Sequence, residues 1–356
     1  MRRTYWIGIA VLVGVAIVAA VLFREREPEY QGRTLSSWLQ QGTEPPRHVK
    51  KIAEAHAAIQ AMGAEQVVPV LLRLVRSSDR QRSVRSLMLD LAHQFNIYIG
   101  PIYQSDDPSD MASAGFQALG TNAAFAVPAL AEIANQPSHT MTAFRCLSHI
   151  GSPARQVITQ ALTNNDARIR SFAVSSLTEV VDQPDQAVNL VKDRLTDTDA
   201  EVRTSAIQVL GTRLRTEPNS LPLLIEVVRR GDTNDATVAA TELANFTTNA
   251  ISAFETLSNA AYQSPHTYLA LTSLRSMLQI APERTLPILS RRLHSIDPWL
   301  RSQSLMLLVR EYPKPEDVIP AVEYAAQDPE EFIATRADGF LERFKQPQPS
   351  TIVNPK

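Results

Sequence analysis

Seven histidines, one cysteine and one short acidic run are the residues that could do chemistry in this 356-residue chain. The histidines (His48, His56, His93, His139, His149, His266 and His294) are scattered along it. No two form the H-x-x-x-H pair that sets both imidazoles on one helix face for zinc. Cys146 stands alone, which excludes an intrachain disulfide and a thiolate metal cluster. Its setting, AFRCLSHIG, puts it on an apolar helix face, where a free thiol packs as a small hydrophobe. The run SDDPSD, Ser105 to Asp110, gathers three carboxylates but lacks the alternation and glycine of a calcium loop. It reads as a solvated turn leading into a helix capped by Ser109 or Asp110. No phosphate loop, dinucleotide fingerprint or nucleophile elbow occurs. The sequence therefore nominates no catalytic, cofactor-binding or metal-ligating residue. Its net charge of −2 supplies no field for nucleic acid.

What the sequence does carry is a period. Proline sits between apolar residues at Pro69, Pro128, Pro222, Pro287 and Pro320, the last two 33 positions apart. A second marker runs out of phase: DARIR from Asp166 to Arg170, DAEVR from Asp199 to Arg203, and DPWLR from Asp297 to Arg301. Arg170 and Arg203 are again 33 apart. Two markers keeping one period identify a repeat.

Each unit reads as a pair of helices. After DAEVR, Val202, Ala206, Val209 and Leu210 trace an amphipathic stripe, with Leu177 and Leu210 equivalent one period apart. Asp199 suits a helix N-cap, Gly211 a helix stop, and the following proline the first turn of the second helix. Leu221, Leu224, Ile225 and Val228 give that second helix its apolar face.

The D-x-x-apolar-Arg start and the proline-led second helix resemble HEAT repeats of the short kind common in bacterial proteins, and EYQGRTLSSWL, Glu29 to Leu39, resembles the segment joining membrane helix to repeats in bacterial membrane-anchored HEAT-repeat proteins. The resemblance runs from about Arg47 to Phe344. It is clearest over Asp166–Val228 and Ser264–Ala326, and loose over Asn234–Tyr262, where Val238-Ala239 replaces the apolar-Arg pair. The Trp/Gly/Tyr pattern of tetratricopeptide repeats is missing. The resemblance implies an all-α fold: a right-handed α-solenoid of about eight helical hairpins, with no cofactor and a protein partner. Deoxyhypusine hydroxylases of this fold hold iron with His-Glu pairs, and here no histidine precedes a glutamate. Likeness to bilin lyases rests on the repeat alone, and the basic stripe of HEAT-like DNA glycosylases is lacking.

The ends and one irregularity complete the expected organisation. Residues 1–4 are a short tail. Tyr5 to Phe23 carries no charge for 19 residues, about 28 Å as a helix and long enough to cross a bilayer. The expected location is a single pass through the inner membrane with the repeats on the outer side. Residues 24–46 read as a polar tether and an N-terminal capping helix in which Thr34 caps and Leu35, Trp38 and Leu39 share a face. Residues 47–345 form the repeats, ending in a helix with a wet face (Glu330, Glu331, Arg336, Asp338, Glu342, Arg343), and 346–356 a disordered tail. After the helix Ser83–Gln94, an aromatic insertion with Phe95, Ile97, Tyr98, Ile102 and Tyr103 breaks the period. It is either packed on the repeats or a partner-contact loop. The expected function is a membrane-tethered, non-catalytic scaffold for protein–protein interaction. The alternative is a lyase-like enzyme or cofactor-handling protein of the same fold.

Overall fold

The computed structural model describes residues 27–43, 48–77 and 107–345. The apolar run 5–23, the helix Ser83–Gln94, the insertion with Phe95, Ile97, Tyr98, Ile102 and Tyr103, and the tail 346–356 lie outside the described residues. The chain divides into two compact units, Met1–Ala161 and Leu162–Lys356.

The first unit opens with β1 (Glu29–Tyr30) and β2 (Arg33–Thr34), an antiparallel ribbon, followed by α1 (Leu35–Thr43). The stretch expected to be a polar tether is thus folded from Glu27 onward. Gln31 and Gly32 both take positive φ (51° and 73°), as a two-residue hairpin turn of the I′ kind requires. The ribbon is tied to α1. Trp38 Nε1 donates to the Tyr30 carbonyl at 3.3 Å, the Arg33 guanidinium lies 3.8 Å over the Trp38 ring, and Ser36 Oγ donates to Glu27. Thr34 caps α1 by accepting from Ser37 N, and Leu35 and Leu39 are fully buried.

Among the described residues three hairpins follow: α2 (Val49–Met62) with α3 (Ala64–Ser77), α4 (Pro108–Leu119) with α5 (Val127–Ala134), and α6 (Thr140–Ile150) with α7 (Arg155–Ala161). Helix α1 packs on α2 and α4, and α4 packs on α6. The first helix of each hairpin ends on a glycine in the left-handed region: Gly63, Gly120 and Gly151, at φ 85°, 53° and 79°. Only a residue without Cβ adopts that conformation freely. Helix α4 is capped by the Asp107 side chain, which accepts from Ser109 N at 2.8 Å. This corrects the expected caps Ser109 and Asp110. Pro108, with no N–H to leave unpaired, takes the first helical position, so the cap falls on the residue before it.

The second unit contains five hairpins and a final helix: α8 (Ala167–Val180) with α9 (Pro184–Lys192), α10 (Ala200–Thr212) with α11 (Ser220–Arg230), α12 (Thr233–Leu243) with α13 (Phe254–Gln263), α14 (Thr267–Ile280) with α15 (Pro282–Arg292), α16 (Pro298–Glu311) with α17 (Pro315–Ala325), and α18 (Glu331–Lys345). Each first helix packs on the next: α8 on α10, α10 on α12, and so on to α18. The stripe Val202, Ala206, Val209 and Leu210 is buried, as are Leu224 and Val228 of α11, while Leu221 and Ile225 are half-buried. In α18 only Ile333 and Ala337 are fully covered, and Glu331, Arg336, Asp338, Glu342 and Arg343 face water.

Small residues let the first helices approach closely. Ser276 Oγ of α14 donates to the Ala240 carbonyl of α12 at 2.6 Å. Gly211 serves the same end and is not the expected stop, because α10 runs through it to Thr212. A Cβ built on Gly211 would land on the Cβ of Glu242 in α12. Gly→Ala inside a helix ordinarily stabilises by about 0.5–1 kcal/mol. Gly211→Ala is expected to do the reverse and cost about 1–3 kcal/mol, as overpacking does. A rise in thermal stability would show that α10 and α12 are not in contact here.

The marker prolines also need correction. Pro128 and Pro222 lie in the first turn of α5 and α11, as expected, but Pro69, Pro287 and Pro320 lie deeper, inside α3, α15 and α17. Those last two helices begin on other prolines, Pro282 and Pro315. A proline inside a helix frees the carbonyl four residues earlier. Here those carbonyls belong to exposed Glu65, Glu283 and Glu316, and the prolines themselves are exposed, so water takes the missing bond.

Candidate functional site

The repeat motif builds one structure several times over. Asp166, Asp199 and Asp297 have extended backbone and cap α8, α10 and α16 by accepting from Arg168, Glu201 and Trp299 backbone N–H groups at 2.9 Å. Two residues earlier, a second side chain accepts the N–H of the capping residue. Asn164 does so for Asp166, Asp197 for Asp199, Ser295 for Asp297, and Asp328 for Glu330. The motif arginine then closes the turn. Arg170 donates to the carbonyls of Asn164 and Asn165, Arg203 to those of Asp197 and Thr198, and Arg301 to those of Ser295 and Ile296.

The rest of each guanidinium reaches the following hairpin. Arg170 forks onto Asp197 at 2.9 and 2.6 Å, and Arg301 onto Asp328 at 2.6 and 2.8 Å. Arg203 splits between Asp235 at 2.5 Å and Asp232 at 2.7 Å, because the loose repeat moves its N-cap to Asp232. The planar fork suits this task where a point-charge lysine would not. Arg170 lowers the Asp197 carboxyl, and Arg301 that of Asp328, below the usual carboxylate range. The motif residues thus make inter-repeat clasps. The sequence reading missed their acceptors Asp197, Asp235 and Asp328, although D-x-D and D-x-E spacing ahead of the helix marks two of them.

Glu242 is a buried carboxylate without a cation among the described residues. It is 8% exposed and accepts from Asn245 Nδ2 at 2.7 Å, which also donates to the Gly211 carbonyl. Burial pushes its carboxyl above the usual range. With the folded-state value raised, the penalty is absent while both states are protonated, and grows as pH rises through the folded value. Glu242→Gln is therefore expected to be near neutral at about pH 4 and to stabilise increasingly towards neutrality, by about 1 kcal/mol. Melting curves from acid to neutral pH check this. A difference that stays flat across that range would refute it.

Two grooves flank this interface. One of about 530 Å³ is lined by Arg215, Glu217, Leu221, Phe246, Thr247 and Asn249. Another of about 450 Å³ lies among Val228, Thr233, Asn259, Gln263, His266 and Leu269. Thr247 is a β-branched residue at φ 51°, ψ −137°. That conformation is nearly the one Gly120 takes at φ 53°, ψ −133°, and Thr-Asn-Ala follows both positions. The loose repeat thus keeps the turn of residues 118–128 but puts threonine where glycine belongs. Such strain costs about 1–3 kcal/mol. Thr247→Gly is expected to raise stability by about 1 kcal/mol after the entropy of the freer unfolded chain is subtracted. Unchanged or lower stability would mean that the turn is not strained.

Cys146 is fully buried and its thiol is pushed up to about 12. Asp110 pairs with Arg145 at 3.0 Å instead of joining a metal cluster. Among the described residues no group of three or more His, Cys, Asp or Glu side chains is placed to hold a metal. The described histidines are kept apart. His149 Nε2 bonds Ser113 Oγ and the His294 ring lies tilted against Tyr324 with centroids 4.0 Å apart, while His139 is buried at a turn.

Two helices per period, a capping Asp at α4, α8, α10, α12 and α16, and arginine clasps from Arg170, Arg203 and Arg301 to the next hairpin mark the repeat. Residues 155–245 match the family model of HEAT repeats. The HEAT-repeat match begins at α7, takes in α8 through α12, and contains the Arg170 and Arg203 clasps. No curated protein sequence matches the chain. Among solved structures, it is similar to the complex of CpcE and CpcF of phycocyanin lyase from Nostoc sp. PCC7120, at 18% identity over 61% of this chain and 94% of that one, with a TM-score of 0.32. It is also similar to importin beta, at 10% identity over 87% of this chain, with a TM-score of 0.48. It spans only 50% of the importin chain.

Proposed function

We propose that the protein is a non-catalytic scaffold of HEAT-like hairpins, running over residues 47–345 and tethered to a membrane through residues 5–23, that presents its repeats to a protein partner. The observation that carries this reading is an edge of exposed aromatic and aliphatic residues at successive turns of the second unit. Tyr262 and Tyr268 flank the α13–α14 turn, Ile296 and Trp299 the α15–α16 turn, and Tyr324 and Phe332 the α17–α18 turn. Ile296 is 98% exposed and Tyr268 74%. Aromatic residues dominate the energetics of protein interfaces. The Arg301–Asp328 clasp fixes the α15–α16 turn against the α17–α18 turn, so there a partner meets a preorganised pair of sites.

Among the described residues no single helix is long and apolar enough to cross a membrane. The tether therefore rests on the uncharged run 5–23, with the repeats on the outer side. The protein is expected to stay with membranes through carbonate and salt washing, while residues 34–345 alone are soluble. A mature chain starting near Val21 in the soluble fraction would overturn the tether. For the edge, a Tyr268→Ser, Ile296→Ser variant used as bait on detergent-solubilised membranes is expected to lose a partner that the parent captures, at unchanged melting temperature. Full retention of that partner would remove the edge from the interface. A purified chain that turns over a substrate, or carries a bound chromophore, would favour the lyase-like alternative.

A further inference from the structure

Neighbouring first helices are joined near their exposed surface by ion pairs that recur through the chain. Arg145 of α6 meets Asp110 of α4, Arg213 after α10 meets Glu179 of α8, and Arg275 of α14 meets Glu311 of α16. Each joins an arginine to a carboxylate about one repeat away. Among the described residues the α12–α14 interface has no such pair and is joined by Ser276 instead, and the α16–α18 interface has none either. Arg310, Arg336 and Arg343 line one groove of about 420 Å³ together with Met306, Val309, Phe340 and Phe344. Among the described residues no carboxylate lies within ion-pair distance of any of the three. Arg336 donates to Ser302 Oγ at 3.3 Å and Arg343 to the Gly339 carbonyl at 2.9 Å, both uncharged acceptors.

The charges of α18 are sorted by face. At 100° per residue, Arg336, Phe340, Arg343 and Phe344 fall on one side, towards the groove, and Glu331, Asp338 and Glu342 on the other. Glu311, the nearest acid on α16, is already engaged by Arg275. Three like charges around an apolar floor repel one another and lower the cost of bringing in an anion.

We propose that this groove binds an acidic, amphipathic segment of a partner protein. Its carboxylates meet Arg310, Arg336 and Arg343, and its apolar side chains lie on Met306, Val309, Phe340 and Phe344. The proposal rests on the scaffold reading in that its ligand is a protein. A nucleic acid or a phosphate-rich surface fits less well, because the floor is apolar and the chain as a whole is slightly acidic.

The test titrates the full chain in detergent with three fluorescent probes. One is a synthetic peptide alternating Glu or Asp with Leu and Phe, the second the same peptide with Gln and Asn for the acids, and the third an oligo-dT strand. The acidic peptide is expected to bind at least about tenfold more tightly than the neutral one, and to weaken as salt rises. Arg310→Gln, Arg343→Gln is expected to remove that preference. Arg310→Glu, Arg343→Glu is expected to reverse it in favour of a Lys-substituted peptide. Both replaced positions are exposed, and melting curves of each variant guard against misfolding. Equal binding of acidic and neutral peptides, binding indifferent to the arginine variants, or tighter binding of oligo-dT by the same arginines would overturn the proposal. Partner capture from membranes by the parent and the Gln variant alike, with no peptide bound, would sink the groove and leave the scaffold reading standing. Peptide binding with no partner captured would support the groove and count against the scaffold.

Discussion

Arg203→Ala is expected to lower stability by about 3 kcal/mol, more than any other single charge removal in the chain. Among the described residues Arg203 is the one clasp that serves two carboxylates, Asp232 and Asp235, while holding the carbonyls of Asp197 and Thr198. Removing it leaves the Asp235 side chain, only 7% exposed, as a buried charge without a cation at the start of α12. Breaking a buried pair from one side costs more than the pair contributes, because the surviving charge cannot regain water. Arg203→Lys is expected to recover less than half of the loss, since an ammonium cannot reach both acids and both carbonyls in one plane. The measurement is a denaturant melt, with hydrogen exchange at the α11–α12 turn as the local readout. A loss below about 1 kcal/mol would place this clasp with ordinary surface pairs.

The same clasps set an acid limit. Asp197 and Asp328 are held below the usual carboxylate range by Arg170 and Arg301. A depressed folded-state value means stability that is present above the unfolded value, about 3.9 for aspartate, and lost as pH falls through the folded one. Stability is therefore expected to fall below about pH 4 in the parent, and less steeply in an Asp197→Asn, Asp328→Asn variant.

Leu210→Ala is expected to cost about 2–5 kcal/mol, as truncation of a close-packed core side chain does. Leu210 is fully buried on α10, and its equivalent Leu177 is fully buried on α8. Gln208, two residues away, faces water, and Gln208→Ala is expected to stay within about 0.5 kcal/mol. Similar losses from the two changes would mean that the helix is turned the other way. Leu177→Ala should match Leu210→Ala, because the two sites are one repeat apart and share the same neighbours by symmetry.

The repeat itself was legible because its markers are local. An Asp that caps and an Arg four residues on must fall in one turn of helix, so their spacing survives wherever the hairpin does. Apolar stripes were readable for the same reason. The partners of those arginines were not, since Asp197, Asp235 and Asp328 are brought near by packing between hairpins. Gly211 misled because a glycine near a helix end has two uses, ending the helix or admitting a neighbour, and only Glu242 distinguishes them. Pro69, Pro287 and Pro320 misled because a proline on the water side of a helix need not begin it. The aromatic edge was invisible as a unit: Tyr268, Ile296 and Phe332 are single residues in three different turns, and only the stacking of the turns makes them neighbours. The candidate loop from Phe95 to Tyr103 was chosen for its composition and lies outside the described residues.

The clasps also bear on how the chain is made. In the second unit Arg170 and Asp197 are 27 residues apart, Arg203 and Asp235 32, Arg275 and Glu311 36. No rung has to wait for a distant segment, so loop-closure entropy stays small at every step. Chains with such local contacts fold rapidly. During synthesis each hairpin of the second unit can lock onto its predecessor in that unit as soon as it leaves the ribosome, and its repeats become ordered in the order in which they are translated.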